Sequence, residues 1–167
     1  MDREKNAPFA KRWHFSAPIY DDAYTIRYMV DPALIKLYRT TRFVVIAPKG
    51  KIVLSIGAWS QALDDLMTIF ETSSCALITA SNPGSKRLPD ASNRERHEHL
   101  IKESRKRGYS FLEGLGVSED GAWPPETSLL IVGIVQDRAE ELARLFGQNA
   151  IVFAKRGEPV ELLLCMD

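Results

Sequence analysis

In the stretch ITASNPGSKRLPDASNRERHEHL, residues 78–100, an apolar run breaks into Asn82-Pro83-Gly84-Ser85-Lys86, stays polar for a loop and restarts as a charged helical pattern. A carboxamide, a hydroxyl and a cation ahead of a helix are the parts of an anion site. Asn82 and Ser85 donate hydrogen bonds, Lys86 supplies charge, and the helix start offers unpaired backbone N–H groups. Asn93, in the first turn of that helix, adds a second amide. A later polar loop holds Trp123-Pro124-Pro125-Glu126, which contributes a ring able to stack on a planar ligand and a carboxylate suited to acid–base work. Each residue also has a plainer use. Asn-Pro and Pro-Gly mark turns in any protein, and Asn93 can satisfy loop carbonyls. Trp123 can cover a core edge, and Glu126 can sit on the surface.

Several other chemistries fail on spacing. The loop is no phosphate-binding Walker sequence, because the first Gly and the Gly-Lys-Ser/Thr order are missing. Gly114-Leu115-Gly116 lacks the third Gly of a dinucleotide fingerprint and opens no helix. There is no Gly-x-Ser-x-Gly elbow. His97-Glu98-His99 suggests a metal, but residues two apart on a helix point to different sides. Glu95, His99 and Glu103 share a face, yet Glu95 reads better as a capping partner, so no metal site is expected. His97 lies on the inward face as a hydrogen-bonded core histidine. No catalytic residue and no cofactor follow from the sequence.

The elements that must position these groups are legible in outline. Asp31 caps and Pro32 opens a short helix to about Tyr38. Arg42 to Ala47 and Lys51 to Ile56 read as a hairpin around Pro48-Lys49-Gly50. Trp59, Leu63, Leu66, Met67 and Phe70 recur at helical spacing over about 58–71, and Cys75 to Ala80 is a buried strand. Ser92 with Glu95 fits a capping box for a helix that stops at Gly108. Strands follow at 109–115 and 128–135. Asp137 with Glu140 marks a second capping box, and Gly147 ends that helix. Ile151 to Ala154 and Val160 to Leu164 close as a hairpin around Arg156-Gly157-Glu158. The pattern predicts a polar N-terminal segment over 1–22, with scattered aromatics, and a single α/β domain over 23–167. That domain is expected to have a mixed sheet with packed helices and β-hairpins near both ends.

If the helix beginning near Ser92 is a crossover, the strands at 75–80 and 109–115 run in one direction. The loops 81–91 and 117–127 then leave from the same sheet edge, outside the carboxyl ends of the strands, where α/β sheets place ligands. This predicts a small-molecule crevice at residues 81–94 and 117–127, suited to a small anionic, phosphate-bearing ligand. The alternative is a non-enzymatic interaction or regulatory module with a protein partner.

Bulk composition narrows the field. Among 167 residues, 22 Lys+Arg balance 22 Asp+Glu, whereas a nucleic-acid footprint normally shows as a basic excess. Apolar runs such as Leu129 to Ile134 are strand-length, so no membrane span is expected. The charged start Met1-Asp2-Arg3-Glu4-Lys5 leads into no apolar stretch, which predicts no secretory leader. The expectation is a cytoplasmic protein whose two cysteines, Cys75 and Cys165, are reduced and buried.

Tyr38-Arg39-Thr40, Ile78-Thr79-Ala80-Ser81-Asn82-Pro83-Gly84-Ser85, Asn93, Trp123-Pro124-Pro125-Glu126-Thr127-Ser128 and Phe146-Gly147-Gln148-Asn149-Ala150 form an ordered set. Together they resemble a family of small bacterial proteins known as domain of unknown function 3293. Members often carry a bulky residue where Ser81 stands and a second Asn where His97 stands, which speaks against catalysis by His97. The resemblance brings no reaction. Its motif residues Asn82, Ser85, Asn93, Trp123 and Glu126 are the ones that the crossover reasoning places on one sheet edge, joined by Gln148 if the strand after it runs antiparallel to the one at 75–80.

Overall fold

The structure, a computed structural model, describes residues 30–119, 121 and 124–165. The N-terminal segment 1–22 and Trp123 lie outside the described residues. The chain runs α1 (Pro32–Thr40), β1 (Arg42–Ala47), β2 (Gly50–Leu54), α2 (Gln61–Ile69), β3 (Ser74–Thr79), a single 3-10 turn (Pro83–Ser85) and α3 (Asp90–Lys106). It continues through β4 (Ser110–Val117), β5 (Glu126–Val132), α4 (Gln136–Leu145), β6 (Ala150–Lys155) and β7 (Glu161–Leu164). The expected hairpins are both present, as β1–β2 and β6–β7.

One seven-stranded sheet has the order β2-β1-β4-β5-β3-β6-β7. The α/β class with packed helices holds. The sheet differs from the expected mixture in one respect, since every pairing is antiparallel. The cause is a single insertion. β3 and β4 do run in the same direction, as the crossover reasoning requires, but β5 lies between them and opposes both.

Side-chain alternation along β3 serves two cores. Ala76 and Ile78 face α3 and α4, packing with Leu100, Leu142 and Phe153. Cys75 and Leu77 face α2, packing with Leu63, Leu66 and Met67. Burying each such aliphatic side chain contributes about 1.5–3 kcal/mol, so a strand used on both faces is a large share of the stability. Asp64 fixes α2 to the β6–β7 turn by accepting the Gly157 N–H at 3.0 and 3.1 Å. Asn93, His97, Leu100, Ile101 and Ser104 do form the inward side of α3, with Leu100 and Ser104 fully buried.

Neither expected capping box forms. The Asn93 N–H donates to the Pro89 carbonyl at 3.0 Å, so the first turn of α3 closes on Pro89 and leaves Ser92 and Glu95 inside the helix. Proline's fixed φ favours this earlier start, and Asp90 supplies the acidic first turn that the helix dipole favours. Likewise the Ala139 N–H donates to the Val135 carbonyl at 2.9 Å, making Val135 the cap of α4 and placing Asp137 in its first turn.

Candidate functional site

Alternating strand directions bring five chain segments to one edge of the sheet. β3 and β4 end there at Thr79 and Val117, while β1, β5 and β6 begin there at Arg42, Glu126 and Ala150. The strand after Gln148 is antiparallel to β3, which is the condition for Gln148 to join the group.

The loop leaving β3 is folded around the side chain of Asn82. Its backbone is left-handed, with φ 47° and ψ 58°, a region that Asn tolerates better than most residues. The Asn82 N–H donates to Asn93 Oδ1 at 3.0 Å, and Asn82 Nδ2 donates to Glu126 Oε1 at 2.5 Å. Asn82 Oδ1 accepts from the Leu88 N–H and from Asn93 Nδ2, each at 2.9 Å. At 6% exposure Asn82 is buried, and these bonds meet the requirement that buried polar atoms be partnered. Gly84 and Ser85 are also left-handed, at φ 60° and 58°. Consecutive turns of this hand hold the loop tight against the sheet, and the Gly84 N–H anchors it to the Gly147 carbonyl at 2.8 Å.

A second polar group forms where α1 meets this loop. Tyr38 Oη and Ser85 Oγ share a 2.6 Å hydrogen bond, and Asn149 Nδ2 donates to Ser85 Oγ at 3.2 Å. Beside it Gln148 Nε2 donates to the Ser81 carbonyl at 2.9 Å. Arg96 braces the arrangement from the α3 side: its Nε donates to the Ala80 carbonyl at 2.6 Å and its Nη2 to the Phe146 carbonyl at 2.5 Å.

Between α1 and the sheet lies a cavity of about 120 Å³. Leu34 and Leu37 of α1 form one wall, and Phe43, Leu77, Val152 and Leu162 supply apolar surface from the sheet. Asn82, Ser85, Glu126 and Gln148 line it as well, joined by Tyr38, Ser81 and Ser128. Gly116 opens the space: its absent side chain would lie 3.7 Å from the Phe43 ring.

Of the residues expected at the crevice, Asn82, Ser85, Glu126 and Gln148 therefore meet at one cavity. Asn93 stands behind Asn82 and holds it. Lys86 follows Ser85 in the loop but does not line the cavity, and Trp123 lies outside the described residues. Sequence reasoning missed Tyr38, Arg96, Ser128 and Asn149. Ser128 carried a readable signal, because it is the polar residue directly before the apolar run Leu129 to Val132 of a buried strand.

The other reactive groups lie elsewhere. His97 Nε2 and Glu113 Oε2 are 3.1 Å apart, away from the cavity lining, and the His97 Nδ1 is buried without a hydrogen-bond partner among the described residues. Burial, with Asp64 nearby, pushes the Cys75 thiol up to about 12, and burial is also the main cause that raises Cys165 to about 11. Neither thiol is an available nucleophile near neutral pH. Both are free and buried, as expected, and they pack into opposite cores. Among the described residues no three His, Cys, Asp or Glu side chains group as metal ligands, and no helix is long and apolar enough to cross a membrane.

A family model described as a protein of unknown function (DUF3293) matches residues 78–151. The match runs from the end of β3 to the start of β6 and so contains Asn82, Ser85, Asn93, Glu126 and Gln148, while the α1 wall falls outside it. No curated protein and no solved structure gives a match.

Proposed function

We propose, from the cavity itself because the matched family brings no activity, that this chain binds a small molecule between α1 and the sheet edge. The observation that supports this reading is convergence. Residues from α1, the 81–88 loop, the start of β5 and the segment before β6 surround one largely apolar space with several polar groups. Pockets of this kind, apolar with a few directed polar groups, are the usual form of small-molecule sites. A flat, wet edge would have favoured a protein-interaction module instead.

A phosphate-bearing ligand is the less favoured occupant. The charged group among the described lining residues is a carboxylate, Glu126, and Lys86 is not part of the lining. Asn93 is committed to Asn82, and Asp90 already occupies the first turn of α3.

The test is a thermal-shift screen of a broad metabolite panel, including nucleotides and sugar phosphates, on the wild type and on Gly116→Val. The valine fills the cavity without requiring a left-handed backbone. A ligand at 100 times its dissociation constant stabilises a protein by about 2.7 kcal/mol, a shift the screen detects. The expected result is compounds that stabilise the wild type and not Gly116→Val. A panel with no such compound would overturn the reading. Phosphates that lose their effect in Lys86→Ala but not in Lys51→Ala would restore the anion site.

A further inference from the structure

Ser128 narrows the chemistry of the ligand. It is 3% exposed, lines the cavity, and its Oγ has no hydrogen-bond partner among the described residues. Strand register sets it between Thr79 of β3 and Gly114 of β4. Thr79 is not available to it, since its hydroxyl donates to the Thr127 carbonyl and accepts the Ser81 N–H. On the other side, a Cβ at Gly114 would come within 3.0 Å of Ser128 Oγ and 2.8 Å of the Leu77 side chain. Glycine there leaves the hydroxyl uncrowded. A hydroxyl buried without a partner is costly to keep, and alanine would fit the same space without that cost.

Two further observations bound what meets this hydroxyl. The space of about 120 Å³ is close to the roughly 150 Å³ of an apolar cavity that accepts benzene, so the buried body is about one six-membered ring. Glu126 gives the lining negative charge, and no Lys, Arg or His is among the described lining residues. An anion brought here would lose its hydration against a carboxylate.

We infer that the cavity takes an uncharged or cationic molecule whose ring-sized apolar body carries one hydrogen-bonding group, and that this group meets Ser128 Oγ. The inference rests on the small-molecule reading above and adds the ligand class to it. Serine both donates and accepts, so a hydroxyl or an amide satisfies it equally. Sites built around a buried hydrogen bond discriminate strongly against analogues that lack it.

Four probes of nearly one shape separate the claims: benzamide, its cationic analogue benzamidine, its anionic analogue benzoate, and toluene, which has the ring without the polar group. Dissociation constants are measured by ligand-observed NMR on the full chain, for the wild type, Ser128→Ala and Gly116→Val. The wild type is expected to bind benzamide at least tenfold tighter than toluene, and benzamide or benzamidine at least tenfold tighter than benzoate. Ser128→Ala should erase the preference for benzamide over toluene while changing toluene less than twofold, and Gly116→Val should weaken every probe. If toluene and benzamide bind alike, or the preference survives in Ser128→Ala, Ser128 is not the anchor, although a cavity blocked by Gly116→Val would still be a ligand site. Tighter binding of benzoate would overturn the charge assignment. Absence of binding by all four would overturn the ligand class, leaving the metabolite screen to judge the small-molecule reading.

Discussion

Asn82 and Asn93 hold each other across the mouth of the β3–α3 loop. The Asn82 N–H donates to Asn93 Oδ1 at 3.0 Å, and Asn93 Nδ2 donates back to Asn82 Oδ1 at 2.9 Å. Because Asn82 also carries Glu126, this exchange connects the first turn of α3 to the start of β5.

Removing the partner exposes its role. Asn93→Ala leaves a buried N–H unmatched and strips one donor from Asn82 Oδ1, so it should cost about 2 kcal/mol. Urea denaturation measures this, and an unchanged midpoint would mean that the loop is held by other contacts. Asn93→Asp should cost no less, because its second carboxylate oxygen faces Asn82 Oδ1, where Asn93 Nδ2 donates.

Two glycines separate backbone strain from collision. Gly147 and Gly157 are left-handed at φ 68° and 82°, but a Cβ at Gly147 lies 3.0 Å from Pro83 Cβ, whereas one at Gly157 meets nothing within 4 Å. Gly157→Ala should cost about 1 kcal/mol from conformation alone. Gly147→Ala should cost about 2 kcal/mol, as the contact with Pro83 adds to the strain. Paired denaturation curves check the difference, and equal costs would mean that the loop yields freely.

Ser128→Ala should behave unlike most buried substitutions. With no hydrogen bond to lose, the unliganded protein should keep its stability or gain up to about 1 kcal/mol. Calorimetry on ligand-free protein decides this, and a loss of more than about 1 kcal/mol would show that the hydroxyl has a structural partner.

Alkaline conditions should weaken the fold through Cys75. Its thiol is raised from 9.0 to about 12 by burial, so the folded state keeps the proton that the unfolded state releases. The resulting stabilisation is complete below pH about 9 and is lost as pH rises from there towards 12. Cys75→Ala should flatten that part of the stability profile. An unchanged slope would assign the alkaline loss to other groups.

The path from sequence to site was clearest where few assumptions were needed. Placing loops 81–91 and 117–127 at one edge needs only the directions of β3 and β4, which the α3 crossover supplies. It does not need to know that β5 lies between them, and periodicity carries no information about which strand a strand will choose. The helix at Pro32 was readable from Asp31 and proline, but nothing local says that Leu34 and Leu37 will wall a cavity. Ser92 with Glu95 matched a capping pattern that Pro89 pre-empts from outside it. Arg96 was hidden for a related reason, since its partners are backbone carbonyls at Ala80 and Phe146 that only the folded chain brings together.

The position of β5 also dictates an order of assembly. β4 can join the β1–β2 hairpin as soon as it is synthesised, whereas β3 pairs solely with β5 and β6, both made later. The apolar β3 therefore leaves the ribosome with no sheet neighbour and waits through α3 and β4. Such waiting, non-local pairing slows folding and exposes sticky strand edges. β5 ends the wait by pairing with β4 and β3 at once, so the strand that carries Glu126 and Ser128 is also the one that brings β3 into the sheet begun by β2, β1 and β4.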